Sequence, residues 1–335
     1  MLRLLVALIL LGPMSATADE KSDMIATIVN DHIINGFSDL ATETQVLKHA
    51  AYANCSADSA ELRAVWHQAF DAWIAVSHLR FGPSEINDRA FALAFWPDTR
   101  GFTPRRLQTL IEDQDAIVNS LMEFDKVSIA ARGFYALEFL LYDPRISALG
   151  NVAYRCSLVQ VVAADIAANA DAILTDWTNS YAAKLRTVSG IYRTQDEALQ
   201  ELFKALITGL QFTSDTRLGR PMGSLEHPRP NRAEAWRSGR SVHNVVVSLT
   251  ALRELALLLS GPTPELSQRF VIAFDKSLKK IGQLNDPVFA NVVTTHGRFR
   301  VEALQQSVTD IRALAVSHLG PTLGVAAGFN ALDGD

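Results

Sequence analysis

The chain has 335 residues, 48% hydrophobic and 20% charged, with a formal net charge of −5. That length and apolar content support a large core and one or two domains. The acidic balance argues against a nucleic-acid-binding domain, which would carry a basic stripe. With only two cysteines, Cys55 and Cys156, a C-x-x-C redox motif, a thiolate metal site and a c-type haem attachment are excluded too.

The chain opens MLRLLVALILLGPMSATADE. Arg3, the apolar run Leu4 to Leu11 and the small-x-small triplet Ala16-Thr17-Ala18 predict a signal peptide over 1–18, cleaved after Ala18. The run is too short to span a bilayer, and no cysteine follows the cleavage point to carry a lipid. Cleavage removes a single charge, Arg3, and leaves 317 residues with a net charge near −6. The expectation is a periplasmic protein with no transmembrane span after cleavage and no nucleic-acid partner.

Beyond the leader, apolar residues recur at helical spacing and no run of alternating strand pattern stands out, so an all-α fold is expected. Residues 21–53 place Ile25, Ile28, Val29, Ile33, Phe37 and Leu40 on one face, and 58–78 do the same with Leu62, Trp66, Phe70, Trp73 and Ile74. The Trp66–Phe70–Trp73 stripe reads as core, the usual fate of large aromatics on one helical face. His78-Leu-Arg80-Phe-Gly82-Pro83 ends that helix. An irregular loop then runs to Pro104, dense in charge but anchored by Phe91, Phe95, Trp96 and Phe102. Loops of that length are functional or packed as Ω-loops.

After a helix near 104–121 comes Lys126 to Asp143, KVSIAARGFYALEFLLYD, apolar nearly all round and therefore expected to be one buried helix. Asp125 would cap its start, and Asp143-Pro144 would stop it. Arg132, Tyr135 and Glu138, spaced i, i+3, i+6, would form a polar stripe along it. A buried carboxylate needs a cation, a metal or several donors. Glu138 thus reads either as half of a structural Glu–Arg pair or as a ligand group, with His78 and Arg80 the first candidates to approach it. A helix over 151–188 follows. Residues 19–190 then form a first helical bundle, with Cys55 and Cys156 expected to form a disulfide from the end of its first helix to the start of its last.

Residues 191–335 read as a second bundle with helices near 193–213, 231–259, 264–282 and 291–319. Thr216 to Pro230 is too rich in Gly and Pro for helix. Six arginines lie between Arg217 and Arg240, a second arginine-rich stretch besides Arg80 to Arg106. Guanidinium forks suit carboxylates and phosphates, although surface arginines commonly make only solvated ion pairs. His-Glu-x-x-His and Gly-x-Ser-x-Gly are absent. Ser241 and His243, two residues apart, point to different helix faces, which argues against a dyad.

Gly133-Phe-Tyr-Ala-Leu-Glu138 resembles the Gly-x-His-x-x-Glu motif of the imelysin-like family, with tyrosine at the histidine position. HLRFGP (78–83), RAFALAFWPDTRG (89–101), Asn231 to Ser238 and the closing LGVAAGFNALDGD are also similar to that family's patterns. The resemblance implies an all-α protein of two packed four-helix-bundle-like halves with a site at their interface. It implies a metal at the motif helix, with Glu138, Tyr135 and His78 as ligands. Around it, Arg80, Glu234, Arg237 and Ser241 would complete the binding shell. Iron is the expected cofactor, because carboxylate and tyrosinate oxygens suit ferric iron. Three functions are in view: a non-enzymatic iron-binding or uptake-associated component acting with other periplasmic or membrane iron-uptake components; a metallopeptidase; and an interaction protein whose buried Glu–Arg network is purely structural.

Overall fold

The computed structural model describes residues 18–326. Apart from Ala18, the expected signal peptide lies outside them, as does most of the LGVAAGFNALDGD stretch. The described chain is helical, with no strand among the described residues. The first half contains α1 (18–53), α2 (Ala60–Val76), α3 (Phe102–Asp113), α4 (Gly133–Tyr142) and α5 (Val152–Arg186). The second contains α6 (195–222), α7 (Ser241–Ser260), α8 (Pro264–Gly282) and α9 (295–323).

Helix starts follow local chemistry. Ser59, Asn151, Thr194 and Thr294 each accept a backbone N–H of the first turn that follows, satisfying donors that have no intrahelical partner. α1 packs on α2 and α5, α4 on α5 and α3, and α7 on α8, α6 and, across the two halves, α2. The apolar core is continuous from Met24 to Leu323. Trp66, Phe70 and Trp73 are all buried in it, as their spacing predicts. Cys55 and Cys156 form the expected disulfide, with Cα atoms 5.1 Å apart, tying the end of α1 to α5. α5 and α7 are long and apolar enough to cross a membrane, but half or more of their apolar stretches lies inside this core.

Two expected helices and one expected loop are corrected: of Thr216 to Pro230, residues 216–222 continue α6 as helix. The segment 126–143 is broken at Arg132, whose backbone is extended; a 3₁₀ turn, Ile129–Ala131, precedes it and α4 begins only at Gly133. The break is tertiary in origin. Gly133 has φ +76, and a Cβ there would sit 2.2 Å from the Leu93 carbonyl oxygen, so the loop backbone can press on α4 only against glycine. Asp125 therefore does not cap α4, and the continuous polar stripe does not form. The helix expected over 231–259 also starts late, at Ser241. Residues 230–240 form a 3₁₀ turn and further turns, with Ala235 at φ 45 and Gly239 at φ 78.

Candidate functional site

α4 runs with both Tyr135 and Glu138 buried, and the turn segment 230–240 of the second half folds over it. Tyr135 and Glu138 thus meet the second half rather than Arg132. The Tyr135 hydroxyl donates to Glu234 Oε1 at 2.6 Å, and Arg217 Nε donates to Glu234 Oε2 at 2.8 Å. Arg217 also reaches the Ser248 and Ser77 hydroxyls, at 3.2 and 3.4 Å. Glu234 is 1% exposed and Arg217 3%, so this is a charge pair fully enclosed between the halves. Arg217 sits in a π-helical segment, Phe212–Leu218, within α6, a local widening often found at functional positions.

Glu138 accepts the Ser238 backbone N–H at 3.0 Å and the Ser238 hydroxyl at 2.8 Å. Burial pushes its carboxyl above the usual range, against the pull of Ser238, Arg237 and Arg240. Arg237 lies over the Phe139 ring at 3.8 Å and donates to Asp143 at 2.9 Å. Asp143 also takes Arg145, and these hydrogen bonds outweigh burial to bring it down to about 2. Arg240 donates to Asp71 and Asn244 and lies 4.6 Å from the Phe70 ring centroid. The hydroxyl of neighbouring Ser241 is buried with no hydrogen-bond partner among the described residues.

His78 and Arg80 do not join this set. His78 Nε2 lies 2.9 Å from His32 Nε2, and His32 Nδ1 lies 3.1 Å from Glu254. Burial, then His32 and Arg217, hold the His78 imidazole well below its ordinary pKa. Arg80 pairs with Glu85 at 2.6 Å and lies over Phe91. Arg132 pairs with Asp165 and Asp125 instead of Glu138. Sequence reasoning missed Asp143, Ser238 and His32; their roles come from contacts 46 to 100 residues away, with no local pattern to mark them.

The expected metal does not fit the residues present. No group of three or more His, Cys, Asp or Glu side chains able to hold an ion occurs among the described residues. A tyrosine ligates ferric iron as phenolate, yet burial and the Glu234 charge raise the Tyr135 hydroxyl well above its ordinary pKa. The guanidinium of Arg217 already neutralises Glu234, the charge that a cation would otherwise balance.

Outside this closed network is an open cleft of about 150 Å³, walled by the loop residues Trp96, Asp98 and Thr103, by Tyr135 and Glu138 of α4, and by Arg220, Arg232 and Arg237. Its arginines all come from the second arginine-rich stretch; the first lends the loop wall but no arginine.

An all-α protein of two helical halves, with a Gly-x-x-x-x-Glu helix buried where they meet, is the class this architecture defines. The imelysin family model matches residues 33–315, and the chain belongs to that family. The fold is similar to that of an imelysin-like protein of Psychrobacter arcticum, at 20% identity with a TM-score of 0.79, covering 95% of this chain and 100% of that one. It is also similar to a Parabacteroides distasonis protein assigned as an iron-regulated protein A precursor, at 15% identity with a TM-score of 0.76, covering 93% and 96%. None of the curated proteins matches the sequence.

Proposed function

We propose that this chain is an exported, non-enzymatic imelysin-family binding protein linked to iron, whose ligand enters the cleft between the loop 94–104 and the segment 220–237. The observation that carries this reading is the cleft itself, which opens at the junction of the halves, the common location of small-molecule sites. The apolar leader supports export to the periplasm, and the iron-regulated relative supports the link to iron. Because Tyr135, Glu138 and Glu234 are committed to protein partners, iron enters as cargo within a complex. From here it would pass to other periplasmic or membrane uptake components.

A peptidase reading draws on the family's name. It needs a carboxylate free to bind a metal or take a proton from water, and both buried glutamates are occupied. Equilibrium dialysis against ferric citrate tests the binding reading. Wild type should retain stoichiometric iron, and Asn231→Trp, which fills the cleft mouth, should retain none. Equal retention by both, or none by wild type, would overturn the reading.

A further inference from the structure

We propose that the cleft recognises a small oxyanion with at least two negative charges, a polycarboxylate or a phosphate, through Arg220 and Arg232. This rests on the reading of the cleft as the ligand site and names its ligand class.

The charges around the cleft do not balance. Its two carboxylates are turned to their own structure. Asp98 accepts the backbone N–H groups of Phe102 and Thr103 at 2.9 and 2.8 Å, and Glu138 accepts both Ser238 donors. Arg237 is likewise committed, between Asp143 and two aromatic rings. Two guanidiniums remain. Neither the Arg220 nor the Arg232 side chain has a hydrogen bond or ion pair among the described residues, whereas the other cleft arginine does.

Arg220 is half-buried, lies 5.8 Å from the Trp96 ring centroid, and its Nε is enclosed with no acceptor among the described residues. A buried donor left unmade costs the desolvation of that group, so the protein carries an unmet demand for an acceptor here. Burial and the like charge of Arg232 both lower the Arg220 pKa, and no carboxylate offsets them. Thr103, 1% exposed and also lining the cleft, has a hydroxyl with no partner among the described residues. A guanidinium offers paired N–H groups matched to carboxylate and phosphate oxygens. Two such forks and a hydroxyl around 150 Å³ fit a compact ion with several oxygens better than a chain or a peptide.

The experiment is calorimetric titration of the mature protein with citrate, with inorganic phosphate, and with glycerol as a neutral control of similar polarity. Variants are Arg220→Ala and Arg232→Ala, with Arg106→Ala, an exposed arginine outside the cleft, as reference. Citrate or phosphate should bind while glycerol does not, and the stronger of the two identifies the carboxylate or phosphate source. Each cleft substitution should weaken it by about 10- to 100-fold, the range for a hydrogen bond to a charged group, while Arg106→Ala leaves it unchanged. Binding that is equal in all variants, or no binding of either anion, overturns the inference. Ferric citrate retention that Asn231→Trp abolishes but the arginine variants leave intact would overturn the anion assignment alone and leave the cleft reading standing.

Discussion

Replacing Arg217 by methionine removes the cation facing Glu234 and keeps most of the side-chain volume. Glu234, 1% exposed, is then left buried without its counter-charge. Breaking a buried pair by removing one partner costs about 3–5 kcal/mol, and the lost hydrogen bonds to Ser248 and Ser77 account for about 1 kcal/mol more. Urea unfolding at pH 7 should therefore show a loss of about 4–6 kcal/mol. Adding Glu234→Gln should recover most of the loss at pH 7, because the amide keeps an acceptor for Tyr135. A loss under about 1 kcal/mol, or one that Glu234→Gln does not recover, would refute the reasoning that Arg217 serves as the counter-charge of Glu234.

Two further outcomes rest on other contacts, the disulfide and the pairing of Arg240 with His67. Substituting Cys55 and Cys156 by serine opens a link of sequence separation 101 and should lower stability by up to about 4.7 kcal/mol in the chain-entropy model; an unchanged urea midpoint would contradict it. The His67 imidazole is lowered to about 4 by burial and Arg240, so between pH 6.5 and 4 the unfolded chain binds protons that the folded chain refuses. Its contribution is complete above pH 6.5 and is lost as pH falls. Burial raises Glu138 and Asp165, which act in the opposite sense, so the comparison is by difference. Wild type should lose more of its urea midpoint than His67→Asn over that range, and parallel profiles would count against the assignment.

Much of this protein is legible in its sequence, and the illegible parts share one cause. Apolar spacing places α1, α2, α5, α8 and α9 because each buries one face in a shared core. The same signal ran 126–143 together, since nothing local announces that Leu93 will press on Gly133. The run Ala233-Glu-Ala-Trp-Arg237 favours helix, but Glu234 is drawn to Tyr135 and Arg217, and Ala235 takes a left-handed turn. At the site, the apolar surroundings of Glu138 and Tyr135 are enough to mark both as buried, and the family resemblance, not the pattern, implies their place where the halves meet. Their partners are not marked, because pairing between residues 94 to 100 positions apart leaves no periodicity.

On the proposed reading, Ser238 holds Glu138 of the motif helix and Arg217 holds Glu234 of the segment folded over it, so neither carboxylate is free for a resident metal and iron enters only within an anionic complex. The most direct measurement is the metal content of mature protein purified without a metal-affinity tag, followed by titration of wild type and Glu138→Ala with free iron and zinc. Neither protein should carry stoichiometric metal, and their titrations should not differ. Stoichiometric iron or zinc in the wild type, lost in Glu138→Ala, would mean that Glu138 is a metal ligand after all.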